Sequence, residues 1–136
     1  MLNILKNDVV SLLDTALLYL NKYRTELDNS HNKELKDTTV EYHIFSCAIL
    51  DILERSDTVT AKISELIRTY DAENKFSDRD ATNSLADACI SFRKSVETYI
   101  KDCEAALKNQ NLMAVRALTN NTDMLTRKIL FLKSNL

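Results

Sequence analysis

Residues 85–106, LADACISFRKSVETYIKDCEAA, carry the pattern that decides the fold. Leu85, Cys89, Phe92, Val96, Tyr99, Cys103 and Ala106 recur at alternating steps of four and three, an unbroken apolar seam. That spacing keeps one edge of an α-helix turned toward a neighbour, as antiparallel bundles and coiled coils require. Just upstream, Ser77-Asp78-Arg79-Asp80 matches a capping box, and Phe76 and Ala81 stand where a hydrophobic staple would close. The acids there complement the positive end of the helix dipole. A helix opening at Ser77 and running through Ala106 is predicted.

The same periodicity extends in both directions. Downstream, Asn109-Gln110-Asn111 reads as a short turn, followed by a helix with Val115, Leu118, Thr122, Leu125, Ile129, Leu132 and Leu136 on one line. Upstream, a first helix spans about Asn3 to Leu27. Leu5, Val9, Leu12, Ala16, Tyr19 and Tyr23 form its stripe, with Leu13, Leu17 and Leu20 alongside. At about 100° per residue these cover roughly half the circumference, enough to touch two neighbours. Asp28-Asn29-Ser30-His31-Asn32 forms a polar connection. A second helix follows from about Lys33 to Arg55 with Leu35, Thr38, Tyr42, Phe45, Ile49 and Ile52, its start weakened by β-branched Thr38, Thr39 and Val40. Arg55-Ser56-Asp57 reads as a break, Ser56 or Asp57 capping a third helix whose edge is Val59, Ile63, Leu66, Ile67 and Tyr70. That third helix is either separate or continuous with the Ser77 helix as one kinked rod.

Composition supports the helical reading. The 136 residues contain no glycine and no proline, where average usage would supply roughly 7% and 5%. Losing both removes most of the chemistry of hairpins and shaped loops, and every glycine-built phosphate cradle. Hydrophobic content of 45% and charged content of 28% fit a folded chain, and the length fits one domain spanning 1–136. The expected fold is all-α, an antiparallel up-down bundle of four to five helices.

Net charge is −2, which offers no overall basic field for nucleic acid, and none is expected as a partner. The charge is uneven, however. Glu26 to Asp80 holds 13 acids against 7 bases, while Asn111 onward holds four bases against Asp123. A C-terminal helix packed beside the acidic middle is the expected consequence, with a surface for an acidic partner as the alternative. Three cysteines, Cys47, Cys89 and Cys103, give an odd count without metal or redox spacing, which suits a reducing compartment. The opening residues lack a signal-peptide pattern, and no apolar stretch reaches the ~18 residues of a membrane span. A cytoplasmic chain is expected, with a host cytosol as the setting if it is exported.

Catalytic chemistry is sparse. His31 and His43 stand twelve residues apart, a poor spacing for shared metal ligation, and no His-Glu-x-x-His or Glu-x-x-His occurs. Asp51 with Glu54, and Asp37 with Glu41, are the pairs that solvated helix faces produce. Cys89 and Cys103 lie two heptads apart on the apolar seam, where a thiol is not activated. No catalytic residue, metal or cofactor is therefore expected. One short segment, Arg24-Thr25-Glu26-Leu27-Asp28-Asn29-Ser30-His31, resembles the Arg-x(4–6)-His motif of HEPN-type helical ribonucleases. The resemblance covers two residues and lies after the first helix, whereas that family carries the motif deep in the chain. It implies that Arg24 and His31 act together on a phosphodiester.

The remaining anomaly is a set of apolar residues off the main stripes. Val40, Ile44 and Cys47 follow i, i+4, i+7 on a side of the second helix away from Tyr42, Phe45 and Ile49. Met113, Ala117, Met124 and Phe131 align roughly 130° from the Val115–Leu132 line. Such faces are either covered within the bundle or offered to another chain, and methionines suit adaptable recognition of partner helices. At least one is expected to be an interface. Val40, Ile44, Cys47, Met113, Met124 and Phe131 are the candidate partner-binding residues. The expected function is a non-enzymatic protein–protein interaction module, an adaptor, chaperone or inhibitor, binding partner helices or itself as a homodimer. The alternatives are the HEPN-like ribonuclease and a sensory bundle resembling chemoreceptor ligand-binding domains.

Overall fold

The computed structural model describes residues 1–32, 34–109 and 113–136, with 31 and 32 described by backbone alone. Four α-helices follow one another: α1 (Leu2–Asp28), α2 (Leu35–Ala72), α3 (Phe76–Lys108) and α4 (Met113–Ser134), with a 3-10 turn at Asn29–Asn32 between α1 and α2. Consecutive helices pack together and α4 closes onto α1, the arrangement of an up-down four-helix bundle. The expected turn at Asn109-Gln110-Asn111 falls largely outside the described residues.

The break expected at Arg55-Ser56-Asp57 does not occur. α2 runs unbroken for 38 residues, so the second and third expected helices are one, and the described residues form four α-helices, within the four to five expected. Nor does that segment join the Ser77 helix. The reason is the place of Ser56 on the stripe. Ile49, Ile52, Ser56, Val59 and Ile63 continue the three-four spacing, and Ser56 is 1% exposed, facing the Cys89 thiol of α3 together with Thr60. A serine that fits a core position needs no helix end. Asp57 is likewise taken by α3, where Arg93 Nη1 donates to its Oδ1 at 2.8 Å and its Oδ2 at 3.0 Å.

The turn between α2 and α3 shows how a chain without glycine reverses direction. Asn74 takes a left-handed backbone, φ 57°. Its N–H donates to Asp71 O at 3.2 Å, and that of Lys75 donates to Tyr70 O at 2.9 Å. These two bonds make a Schellman cap, with asparagine at the position glycine usually holds. α3 consequently begins at Phe76, with no side-chain cap, and the capping box expected at Ser77 is not formed. The staple is absent too: Phe76 is exposed and lies under the Arg79 guanidinium, 4.9 Å from its ring centre.

The β-branched start of α2 is accommodated rather than broken. Thr39 Oγ1 donates to Leu35 O at 2.8 Å, and Thr82, Thr122 and Thr126 bond back one turn in the same way. Each hydroxyl is satisfied within its own helix.

The core follows the expected stripes with a drift. On α3 the seam ends in Leu107 rather than Ala106, and on α4 Ala114 rather than Val115 is buried. On α1 Leu20 is buried where Tyr19 is half-exposed. A helix of 3.6 residues per turn slips about 20° per heptad against a strict seven-residue repeat, so the buried line moves one residue over.

Candidate functional site

Toward the end of the bundle where α1 leads into α2, the four helices meet in an aromatic and polar layer. Tyr23 of α1 stacks on Phe45 of α2 at 4.2 Å with rings nearly parallel, and Tyr99 of α3 meets the same Phe45 edge-on at 6.2 Å. Tyr99 and Thr122 share a hydrogen bond of 2.9 Å, in which Tyr99 donates because the Thr122 hydroxyl is spent on Leu118 O. Tyr42 donates to Ile100 O at 3.4 Å. Burial raises all three phenols and pushes the Cys103 thiol up to about 12; the Cys89 thiol is raised for the same reason. Groups shifted in this direction are protonated at neutral pH, so neither buried cysteine is a poised nucleophile. They pack as the seam predicts.

Tyr23 has an additional feature. It is 2% exposed, and its hydroxyl has no hydrogen-bond partner. An unpaired buried hydroxyl costs about 1–3 kcal/mol. Tyr23→Phe is therefore expected to raise stability by about 1 kcal/mol, whereas Tyr99→Phe, which removes a made bond, lowers it by about the same. Urea midpoints of the two variants check this; a fall for Tyr23→Phe would mean that the hydroxyl is bonded after all.

On the outer side of this layer, α1 and α2 leave a groove of about 370 Å³. Tyr23 and Phe45 line it, with Tyr19, Lys22 and Glu26 from α1 and Glu41, Ile44 and Ala48 from α2. Sequence reasoning found Ile44 but not the groove, because the register between two helices is not written in either one alone. Paired small and charged positions on facing flanks, such as Ala48 with Lys22, are the only signal it leaves.

The six sequence-predicted residues have a common fate. Val40, Ile44 and Cys47 are exposed on the outside of α2, and Met113, Met124 and Phe131 on the outside of α4. Ile44 is 69% exposed and Phe131 67%. No further helix among the described residues covers either face. α2 and α4 are diagonal in the bundle, so the structure does not bring the two groups together; it turns them in opposite directions. Leu18, Leu50, Ile90 and Leu130 are also exposed, singly rather than as a stripe.

The expected neighbour relation of the charges is corrected by the same geometry. The acidic middle of the chain is mostly α2, and the basic α4 sits diagonally across from it, not beside it. Its ionic contacts go to α1: Lys133 Nζ to Asp14 at 2.7 Å, and Asp123 to Arg24 Nε at 2.9 Å. Arg24 also pairs with Asp28, and the two carboxylates, Asp28 foremost, raise its pKa. Its guanidinium is thus already engaged, and the His31 side chain lies outside the described residues. Among the described residues no group of three or more metal-ligating side chains gathers, and no helix is long and apolar enough to cross a membrane. Comparison with known protein families, curated proteins and solved structures finds no match to this chain.

Proposed function

We propose that this protein works by docking to other protein through the outer faces of α2 and α4, without catalysing a reaction. One observation carries the reading: the apolar residues set apart by spacing alone stand in solvent on two separate helix faces. Scattered exposed side chains are ordinary, but an i, i+4, i+7 stripe such as Val40–Ile44–Cys47 is a coherent surface. Met113, Met124 and Phe131 supply flexible, polarisable contact area suited to a partner helix. The polar layer of tyrosines and cysteines adds support of another kind, since its groups are protonated and inward, as a scaffold needs.

The test uses cross-linking and capture from the producing cell. Ile44→Asp and Phe131→Asp should each keep the helical circular dichroism of the parent, because neither side chain is in the core. Each is expected to reduce at least one bound protein, another chain or a second copy, by about tenfold or more, as loss of a central apolar anchor does. If the doubly substituted chain retains every contact of the parent, the reading is overturned.

A further inference from the structure

We infer that the outer face of α4 receives an acidic amphipathic helix of another protein, laid along a second seam on the outside of that helix. The inference rests on the docking function proposed above and names the chemistry of the partner.

Met113, Ala117, Asn120, Met124, Arg127 and Phe131 recur at alternating steps of four and three, the period of the buried lines inside the bundle. They are turned away from Ala114, Leu118, Thr122, Leu125 and Ile129, which pack inward, and Met113, Met124 and Phe131 are exposed. From Met113 to Phe131 the line runs about 27 Å, or about five turns. It is too narrow for a lipid surface, which needs a broad apolar face, and too polar at Asn120 and Arg127. One helix packed alongside suits it, because a polar residue within such a seam fixes the register.

Of the ionic groups on α4, Asp123 is held by Arg24 and Lys133 by Asp14, both of α1. Arg116, Arg127 and Lys128 are left over. All three are exposed, and none takes part in an ion pair among the described residues. The neighbouring helices do not cancel them. On α1, Asp14 and Asp28 are engaged by Lys133 and Arg24, while Asp8 and Glu26 line grooves on the α2 side. On α3, Glu97 is bound to Arg93 and Glu104 acts on the Tyr42 phenol of α2. Asp87 stands about 180° round α3 from the core residue Val96 and so points outward. Among the described residues on the two flanks, that leaves Asp102, which shares a small cleft with Met124 and Lys128 and offsets one cation of the three. The face is an apolar line in a net positive field. Its complement is a helix with apolar residues at the same spacing and Asp or Glu beside them.

Three stapled, monomeric helical peptides probe the intact chain by fluorescence anisotropy. All carry leucine at alternating four- and three-residue steps over about five turns. Their flanking positions are glutamate in the first, glutamine in the second and lysine in the third. The glutamate peptide should bind tightest and the lysine peptide at least about tenfold more weakly, with added salt narrowing the gap. Phe131→Asp should weaken the glutamate peptide by about tenfold or more, and Ile44→Asp should leave it unchanged. Arg127→Glu with Lys128→Glu should reverse the order of the glutamate and lysine peptides. The milder pair Arg127→Gln with Lys128→Gln should shrink the difference between them, and both pairs should keep the parent's helical circular dichroism.

Equal binding of the glutamate and lysine peptides overturns the inference, as does a glutamate peptide indifferent to Phe131→Asp. Two other occupants overturn it as well. Vesicles of phosphatidylcholine with phosphatidylserine that retain the chain while no peptide binds would assign the face to a membrane. A dimer of the parent that is lost on Phe131→Asp and shuts out the glutamate peptide would assign it to a second copy. The broader docking function fails separately, on the capture experiment: a chain that loses a cellular partner on Phe131→Asp yet shows no preference among the peptides sinks the acidic helix alone.

Discussion

Raising the pH from 7 to 11 is expected to remove on the order of 6 kcal/mol of folding free energy, enough to unfold most of the population. The origin is the buried layer of Tyr23, Tyr42, Tyr99 and Cys103, whose desolvation raises every one of their pKa values in the folded chain. In the unfolded chain the thiol titrates near 9 and the phenols near 10. The folded values lie above the unfolded ones. The stability held by these groups is therefore complete below about pH 9 and is lost as pH climbs toward the folded values. Each group contributes a slope of about 1.4 kcal/mol per pH unit once its unfolded form has lost the proton. Urea midpoints at pH 7, 9, 10 and 11 should be flat at first and then fall steeply. Tyr23→Phe removes one of the titrating groups and should move the alkaline midpoint upward. A midpoint unchanged through pH 11 would mean that water reaches the layer.

The pH response and the architecture come from the same feature, a heptad seam, and the seam was readable because periodicity belongs to a single helix. Leu85 through Cys103 on α3, and Leu118 through Ile129 on α4, are buried as their spacing requires. That Val40, Ile44, Met124 and Phe131 lie off the core stripes is legible by the same angular arithmetic, but their exposure is not, because it depends on whether another helix covers those faces. What failed were inferences that need a neighbour. Arg55-Ser56-Asp57 has the chemistry of a helix end, yet Ser56 lies over the Cys89 thiol and Asp57 is held by Arg93, two facts of the α2–α3 register. Ser77 has the chemistry of a cap, but the Schellman turn at Asn74 fixes the start of α3 at Phe76 before the serine is reached. The charge imbalance was visible, while the diagonal position that places acid and base on opposite sides was not. Even the groove floored by Tyr23 and Phe45 depends on how α1 sits against α2. In each case the missing information is a relation between helices, which no single helix encodes.

That division between core and outer face has a direct energetic consequence in two phenylalanines. Phe92 is 1% exposed at the centre of the α3 seam, and Phe131 stands on the outside of α4. Phe92→Ala should destabilise the fold by about 3–5 kcal/mol, the lost transfer energy plus the cavity left where its neighbours cannot collapse. Phe131→Ala should change stability by no more than about 0.5 kcal/mol, since its ring already meets water. Equilibrium urea unfolding of both variants, with circular dichroism as the probe, measures the contrast. Both effects are differences between like substitutions, so the unfolded-chain terms largely cancel. If Phe131→Ala cost as much as Phe92→Ala, the outer face of α4 would be part of the core and could not be a docking surface. If it is neutral for folding while association weakens, the same ring is idle within the bundle and active between molecules.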